Sequence, residues 1–300
     1  MAGDFDPPIS AVREAVARAL AEDLGVLGDL TSTALIPAEA VGVGHFVARR
    51  PGVLAGTAVA GEVFAQLDQA VSVTWAAADG DGLSAGQRIG TVTGPLRSVL
   101  TGERSALNFL GHLSGIATLT RAHVDAAAGA GGDCRIRDTR KTTPGLRSLE
   151  KAAVRAGGGS NHRGNLSDAV LVKDNHLRHL SQAGGPGAVE DGAGRRGAIA
   201  DAVERARSRW PGVAVEVEAD TLDQVSEAKA AGADIILVDN MTPAEVAKAV
   251  AIAGGAVPIE VSGGVSLDTV AAYAAAGADL ISVGALTHSA PVLDIGLDLE

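Results

Sequence analysis

Polar clusters follow a series of short apolar runs in the second half of the chain. Ala169–Val172 runs into Lys173, and Asp234–Val238 runs into Asp239. Each run has the length of a strand, and each cluster contains cations, carboxylates or glycines. Because a parallel barrel places the carboxyl ends of all its strands on one face, these clusters are expected to converge in space. The residues concerned are Arg140, Lys141, Lys173, Glu218, Asp239 and the glycines after the later strands.

The first candidate group is cationic. Arginine binds carboxylates through a bidentate fork, and lysine supplies a point charge. Because several cations in one pocket repel each other, the group predicts a ligand with more than one negative charge. Taken singly, each residue is more simply a solvated or ion-paired surface side chain. Strand alternation turns Arg137 away from Asp138 and predicts a partner outside the barrel for it. The group comprises Arg137, Arg140, Lys141, His162, Arg163 and Lys173.

The second candidate group is acidic. Glu218 and Asp239 stand at the tips of consecutive predicted strands, and Glu216 shares the face of Glu218. Carboxylates at neighbouring tips hold Mg²⁺ through oxygen ligands, usually together with substrate phosphates. They also suit ribose hydroxyls. The alternative is structural pairing with the neighbouring cations.

The third candidate group is suited to phosphate. Ser262–Gly264 and Gly284 end the last two predicted strands, where glycines free backbone N–H groups to face an anion. The helix that follows adds its positive end, and barrels often bind phosphate after their last strands. His288 lies close by in sequence and offers a further donor. An ordinary strand-to-helix turn, with a surface histidine, is the alternative.

From residue 135 onward the elements that must position these groups alternate between strand and helix. Polar tips recur about every 22 residues, and two capping-box patterns, which begin at Thr221 and Thr242, predict helix starts. Six such strands are predicted. Because a complete eight-fold barrel typically needs about 250 residues and this half has roughly 160, we expect a small or incomplete barrel. Residues 181–197 are rich in glycine and predict a surface loop.

The first half of the chain has a different character. A helix is predicted over 8–24, and residues 40–95 contain short β-type runs around a helix at 58–67, which indicates an antiparallel sheet. One or two long helices are predicted over 97–128, and Arg104 lies there, either on the helix surface or reaching into a partner subunit. Three segments are predicted. Residues 1–115 form an α/β sandwich domain with a bridging helix, and residues 116–288 form the catalytic barrel. Residues 289–300 form a tail that returns toward the first domain.

Composition excludes several classes of function. The chain has 300 residues, 46% of them apolar, and a net charge of −11, which argues against a nucleic-acid partner. It has no run of about 18 apolar residues, so no membrane span is expected. The N-terminus shows no secretory pattern and Cys134 is the single cysteine, so we expect a cytoplasmic protein.

Longer motifs, spread over nearly the whole chain, resemble the quinolinate phosphoribosyltransferase family. Their length and order make the resemblance specific. The motifs are Glu22–Ser32, Glu103–Ala117, Asp138–Arg147, Gly157–Arg163, Val172–His176, Glu216–Glu218, Val238–Asn240, Ser262–Gly264 and Val283–His288.

The resemblance implies an α/β protein with an N-terminal α/β sandwich domain and an incomplete parallel α/β barrel, working as a homodimer or a higher assembly of dimers. It implies transfer of phosphoribose from phosphoribosyl pyrophosphate to quinolinate with decarboxylation, in NAD biosynthesis, with Mg²⁺. Lys141, Lys173, Glu218 and Asp239 would be catalytic, and the last two would serve the ribose and Mg²⁺. Substrate binding would involve Arg104 from the neighbouring subunit, Thr139, Arg140, Lys141, His162, Arg163, Lys173, Ser262, Gly263, Gly264, Gly284 and His288.

Three alternatives stay open at this point. Lys173 at a strand tip could form a Schiff base in a lyase. A related phosphoribosyltransferase-like protein, tied to molybdenum uptake, would act on another base. A silent phosphosugar-binding module would keep the fold without turnover.

Overall fold

A computed structural model describes residues 7–131, 133–183 and 197–300. The chain divides into two compact units, each built from separate stretches of sequence. Unit 1 comprises Met1–Ala122, Lys141–Asn161 and Gly284–Glu300, and unit 2 comprises His123–Arg140 and His162–Val283. Among the described residues, no helix is both long enough and apolar enough to cross a lipid bilayer.

Unit 1 contains an antiparallel sheet of four strands in the order β12-β1-β5-β3. The last strand of the chain pairs with the first, so that Gly44 faces Leu299 across the ladder. Beside this sheet, Phe46 stacks on Trp75 with ring centroids 5.2 Å apart. The strands are β1 (Val41–Ala48), β2 (Gly52–Val53), β3 (Ser72–Trp75), β4 (Gly82–Leu83), β5 (Arg88–Pro95) and β12 (Ile295–Leu299), of which β2 and β4 form a separate short ribbon.

The helices of unit 1 include α4, a single helix where one or two were predicted. Gly111 and Gly115 of α4 admit the C-terminal segment, because a Cβ at Gly115 would lie 2.1 Å from the carbonyl oxygen of Pro291. The helices are α1 (Ile9–Leu24), α2 (Leu30–Leu35), α3 (Thr57–Leu67), α4 (Leu96–Ala128, which continues into unit 2), α5 (Arg147–Ala156) and α11 (Ala285–His288).

Unit 2 contains a parallel sheet of six strands in the order β6-β11-β10-β9-β8-β7. In the described part of the chain, β6 and β7 are the edge strands and do not pair with each other, so the barrel is incomplete, as predicted. The strands are β6 (Arg135–Arg137), β7 (Val170–Val172), β8 (Val215–Ala219), β9 (Ile235–Asp239), β10 (Ile259–Ser262) and β11 (Leu280–Ser282).

Two helices of unit 2 begin at the capping boxes that the sequence predicts. Thr221 and Thr242 form capping boxes with Gln224 and Glu245, and Gly254 ends its helix in the left-handed conformation. The predicted loop at 181–197 is wrong at its start, because Ser181 belongs to a helix, and residues 184–196 lie outside the described residues. The helices are α6 (Asp174–Ala183), α7 (Ala198–Arg209), α8 (Leu222–Ala230), α9 (Pro243–Ala253) and α10 (Leu267–Ala275).

The two faces of the parallel sheet differ in charge. Because alternate residues of a strand point to opposite faces, one face collects valine and isoleucine and forms the core. The other face carries the charges. Glu216 of β8 and Glu260 of β10 come within 4.8 Å of each other although β9 lies between their strands. Since neighbouring strands are about 4.8 Å apart, the charged face must be the concave one.

Candidate active site

The carboxyl edge of the parallel sheet carries an ion pair. Lys173, just after β7, donates from Nζ to Oε2 of Glu218 at 2.6 Å, and the Asp174 N–H donates to Oε1 of the same carboxylate at 3.4 Å. The Lys173 side chain is 49% exposed, whereas that of Glu218 is only 8% exposed. The structural pairing weighed for the acidic group is therefore present at Glu218. We call the residues at this edge the rim: Arg140, Lys173, Glu218, Asp239 and Ser262.

Two further rim residues lie at the ends of adjacent strands. Asp239 of β9 is the register partner of Ser262 of β10, and Asn240 Nδ2 donates to Asp239 Oδ2 at 2.7 Å. Asn240 has φ +55°, the left-handed conformation, and Gly263 has φ +91°. A Cβ at Gly263 would lie 2.2 Å from Asn240 Oδ1, so only glycine leaves room for the Asn240 side chain.

The cations near β6 lie close enough to affect each other. Burial, and secondly the charge of Arg140, lowers the pKa of Arg163, while Glu216 and Asp168 act in the opposite direction. Nη1 of Arg163 donates to the carbonyl of Ala169 at 3.0 Å. Thr139 and Arg140 follow Asp138, the first residue after β6. A guanidinium group whose charge is disfavoured by a second one nearby is suited to an anion that bridges the two.

A second set of polar residues lies below the rim on the concave face. His162 Nε2 is 3.0 Å from Glu216 Oε2 and 3.6 Å from Glu260 Oε1. Arg137 Nη1 donates to Glu260 Oε2 at 2.5 Å. The prediction that Arg137 pairs outside the barrel is therefore wrong: it faces the concave side and neutralises a buried carboxylate. We call this set the inner layer: Arg137, His162, Glu216 and Glu260.

Burial governs the electrostatics of the inner layer. The side chain of Glu260 is 0% exposed, and burial, followed by the charge of Glu216, raises its pKa, against the opposing effects of Arg137, His162 and Ser282. Asp138, also fully buried, accepts the His162 backbone N–H on Oδ1 at 2.8 Å. The loop that carries His162 is thus fixed through both its backbone and its ring.

The remaining candidate residues belong to unit 1. Gly284 leaves space for Lys141 and His288, since a Cβ there would lie 3.1 Å from Lys141 Cδ and from His288 Nε2. Thr287 Oγ1 donates to the Lys141 carbonyl at 2.9 Å. Arg104 is exposed on α4 and lines a cavity of about 320 Å³ together with Asn108, Val292 and Asp294.

Comparison with known proteins identifies the family. Residues 29–114 match the model for the quinolinate phosphoribosyl transferase N-terminal domain, and residues 116–298 match that for the C-terminal domain. The chain belongs to the quinolinate phosphoribosyltransferase family. The match extends over nearly the whole described chain and confirms the family predicted from the motifs.

Individual relatives of this quinolinate phosphoribosyltransferase family member cover the same length. The nicotinate-nucleotide pyrophosphorylase [carboxylating] of Mycobacterium leprae is 43% identical over 98% of this chain and 99% of the relative. A probable nicotinate-nucleotide pyrophosphorylase [carboxylating] of Bacillus subtilis is 40% identical over 93% of this chain and 90% of the relative. The nicotinate-nucleotide pyrophosphorylase structure from Francisella tularensis has a TM-score of 0.88 at 37% identity, covering 98% of both chains.

Two groups of donors in this family member are candidates for a divalent cation. Glu218 and Asp239 offer carboxylate oxygens at the rim, where substrate oxygens could complete the coordination shell of Mg²⁺. One donor atom from each of His162, Glu216 and Glu260 lies within 4.8 Å of the other two. That second group includes a nitrogen donor, and each group contains a carboxylate that already pairs with a cation, Glu218 with Lys173 and Glu260 with Arg137. The oxygen donors at the rim match the preference of Mg²⁺ for oxygen ligands better than the inner layer does.

The sequence interpretation missed three residues of the site: Asp138, Glu260 and Ser282. Glu260 stands between Ile259 and Val261 in a strand with a buried core. A glutamate that interrupts such an apolar run is the signal that could have found it, because a buried carboxylate requires a partner. Ser282 and Asp138 gave no comparable signal, since their contacts depend on which strands become neighbours.

Proposed function

We propose that this chain transfers the phosphoribosyl group of phosphoribosyl pyrophosphate to quinolinate and releases CO₂, with nicotinate mononucleotide and pyrophosphate as the other products. The observation that carries the proposal is the rim, which combines cations and carboxylates on one edge of the sheet. The rim lies in the part of the chain that matches the C-terminal domain of the quinolinate phosphoribosyltransferase family. That combination suits a dianionic pyridine beside a sugar diphosphate.

Quinolinate presents two adjacent carboxylates, and the chain offers Arg140 and Arg163 for them. The guanidinium groups lie close enough for the charge of one to lower the pKa of the other. A bound dicarboxylate would remove that repulsion and be held in one orientation by charge-assisted hydrogen bonds. Orientation matters because the pyridine nitrogen must face C1 of the ribose in line with the departing pyrophosphate.

The phosphoribosyl pyrophosphate end is assigned to the acidic and glycine-rich tips. Glu218 and Asp239 would contact the ribose hydroxyls and hold Mg²⁺, and Ser262, Gly263 and Gly264 would bind the 5′-phosphate through backbone N–H groups. When bound, Mg²⁺ supplies charge neutralisation to the leaving pyrophosphate. Lys173 would exchange its carboxylate partner for substrate oxygen as the site fills.

The arrangement around Lys173 favours this reaction over a lyase. A Schiff base needs an uncharged amine free to attack a carbonyl, whereas the Lys173 ammonium donates to Glu218 at 2.6 Å. The proposed transfer needs no covalent intermediate with the protein. C–N bond formation at ribose C1 accompanies loss of pyrophosphate, and decarboxylation leaves an electron pair at C2 that a proton then occupies.

The activity is tested by incubating the protein with quinolinate, phosphoribosyl pyrophosphate and Mg²⁺ and quantifying nicotinate mononucleotide, pyrophosphate and CO₂. Equal amounts of the three products are expected, with none when Mg²⁺ is removed by a chelator. Turnover with nicotinate in place of quinolinate, or none with either, would contradict the proposal.

We further propose a homodimer with shared sites, in which Arg104 enters the site of the partner subunit. The exposure of Arg104 on α4 supports this assignment. Mixing Arg104→Ala with Lys141→Ala protein should restore part of the activity that each variant lacks. Absence of recovery after demonstrated subunit exchange would refute the shared site. We also propose a cytoplasmic location, which the single cysteine supports, and a place in NAD biosynthesis, which follows from the proposed product.

A further inference from the structure

The inner layer contains two buried carboxylates that the proposed reaction does not use. The side chains of His162, Glu216 and Glu260 are 8%, 4% and 0% exposed. Carboxylates at such depth are costly to bury, so they persist where their contacts are specific. Both carboxylates face the His162 ring, which precedes Arg163 in the chain.

The His162 ring connects the carboxylates to that segment. Its Nδ1 accepts the backbone N–H of Arg163 at 2.8 Å. An accepting Nδ1 is unprotonated, so the ring proton lies on Nε2. Nε2 faces Glu216 Oε2 at 3.0 Å and Glu260 Oε1 at 3.6 Å. The ring thus links two carboxylates on strands to the backbone of a cationic residue in a loop.

Glu260 is itself fixed from two further strands. Arg137 of β6 donates to Oε2 at 2.5 Å, and Ser282 of β11 donates to Oε1. Glu260 therefore has a cation on one oxygen and a hydroxyl on the other. A buried carboxylate with both oxygens engaged in this way is held rigidly in place.

We infer that Glu216 and Glu260 are positioning residues, which hold the His162 ring and, through its Nδ1, fix the backbone of Arg163. The inference rests on the proposed function, in which Arg163 binds quinolinate. It assigns the inner layer to the quinolinate end of the site, together with Arg140 of the rim, and leaves phosphoribosyl pyrophosphate to the other rim residues.

The kinetic test uses Glu260→Gln and Glu216→Gln, which keep side-chain size and remove the charge. The quinolinate KM should rise about tenfold or more, with the phosphoribosyl pyrophosphate KM unchanged, because a charged hydrogen bond is lost at one end of the site. Asp279→Asn is the matched control. Asp279 accepts the Ile259 N–H at 2.8 Å at the opposite end of β10, so neither KM should change.

Ser282→Ala provides a milder variant in case loss of the carboxylate prevents folding. It removes one donor to Glu260 and should raise the quinolinate KM alone, by a smaller factor. Equal rises in both KM values, or a lowered Tm with unchanged KM values in the folded variants, would overturn the inference, since a purely structural role predicts either result.

A spectroscopic readout separates this inference from the proposed function. In ¹⁵N-labelled protein the His162 ring should show a proton on Nε2 and none on Nδ1, and the Nε2 signal should shift in Ser282→Ala. A protonated Nδ1 would overturn the inference even in an active enzyme. Failure of the wild-type protein to turn over quinolinate, with the expected ring signals present, would reject the proposed function and with it the assignment of Arg163 to quinolinate.

Discussion

The rim and the inner layer use the same kinds of charged residue in opposite ways. At the rim, Lys173 is 49% exposed and its partner Glu218 is 8% exposed. In the inner layer, Arg137 is 15% exposed and its partner Glu260 is 0% exposed. A half-exposed lysine can exchange its partner for a substrate oxygen, whereas separating a pair that is buried on both sides leaves an uncompensated charge. The rim is therefore suited to bind substrates, and the inner layer to hold the segment of His162 and Arg163 in place.

The largest expected effect is at Arg140. Arg140→Ala should raise the quinolinate KM roughly 10- to 100-fold, because a charge-assisted contact is worth about 1.5–3 kcal/mol. Steady-state kinetics with circular dichroism as a folding check measures this. Arg207→Ala is the control, since Arg207 pairs with Asp234 at 3.1 Å, away from the carboxyl edge. A normal quinolinate KM in Arg140→Ala would refute the role.

A second prediction compares the ion pair of Lys173 with that of Arg178, which lies in the helix that follows the same strand. Lys173→Met should lower kcat/KM by about tenfold, because a charge that contacts substrate oxygen is lost. Arg178→Met, which breaks the exposed Arg178–Asp174 pair at 3.0 Å, should leave kcat/KM unchanged. Arg178→Met should keep nearly normal stability because its pair is exposed, whereas Lys173→Met should also lower Tm because it leaves the buried Glu218 carboxylate without its cation. Similar activity losses in the two variants would remove the distinction claimed for the rim.

The third prediction concerns the glycine that admits Asn240. Gly263→Ala and Gly232→Ala both place a Cβ at positive φ, at a cost of about 1–2 kcal/mol. Gly232 has open space around it, whereas a Cβ at Gly263 would strike Asn240. Both should lower Tm, but only Gly263→Ala should raise the phosphoribosyl pyrophosphate KM, by a few-fold. An unchanged KM in Gly263→Ala would show that Asn240 does not support the rim.

The smallest effect is a pH dependence of stability in the inner layer. The pKa of Glu260 is raised in the folded protein, so the folded state binds more protons than the unfolded state above the ordinary glutamate pKa. The stability from this group is present below that value and is lost as pH rises through the raised pKa. Chemical denaturation of wild type should show this decline, and Glu260→Gln should not. Parallel pH profiles would contradict the assignment.

Local signals predicted much of the fold. The capping boxes at Thr221 and Thr242 depend on residues three positions apart, so they are readable without tertiary structure. Six parallel strands and the incomplete barrel were predicted from the repeat of apolar runs. The end of the helix at 181–183 was missed because a glycine-rich composition marks the following segment and not the boundary itself.

The site was predictable where a charge stands at a strand tip and not where it stands inside a strand. Lys173 and Glu218 were found because both follow the topological rule that strand ends converge. Arg137 was predicted on the wrong face of the sheet. Its direction was inferred from that of Asp138, but β6 ends at Arg137, so the alternation of side chains along the strand does not extend to Asp138. The Arg137–Glu260 pair joins residues 123 positions apart, and only strand order brings them together.

The central claim is tested most directly by isotope-labelled quinolinate. With ¹³C in the 2-carboxylate, one turnover in the presence of phosphoribosyl pyrophosphate and Mg²⁺ should release labelled CO₂ and leave unlabelled nicotinate mononucleotide. With ¹³C in the 3-carboxylate, the label should remain in the nucleotide. Labelled CO₂ from the 3-carboxylate, or a nucleotide product that retains both carboxylates, would contradict the account.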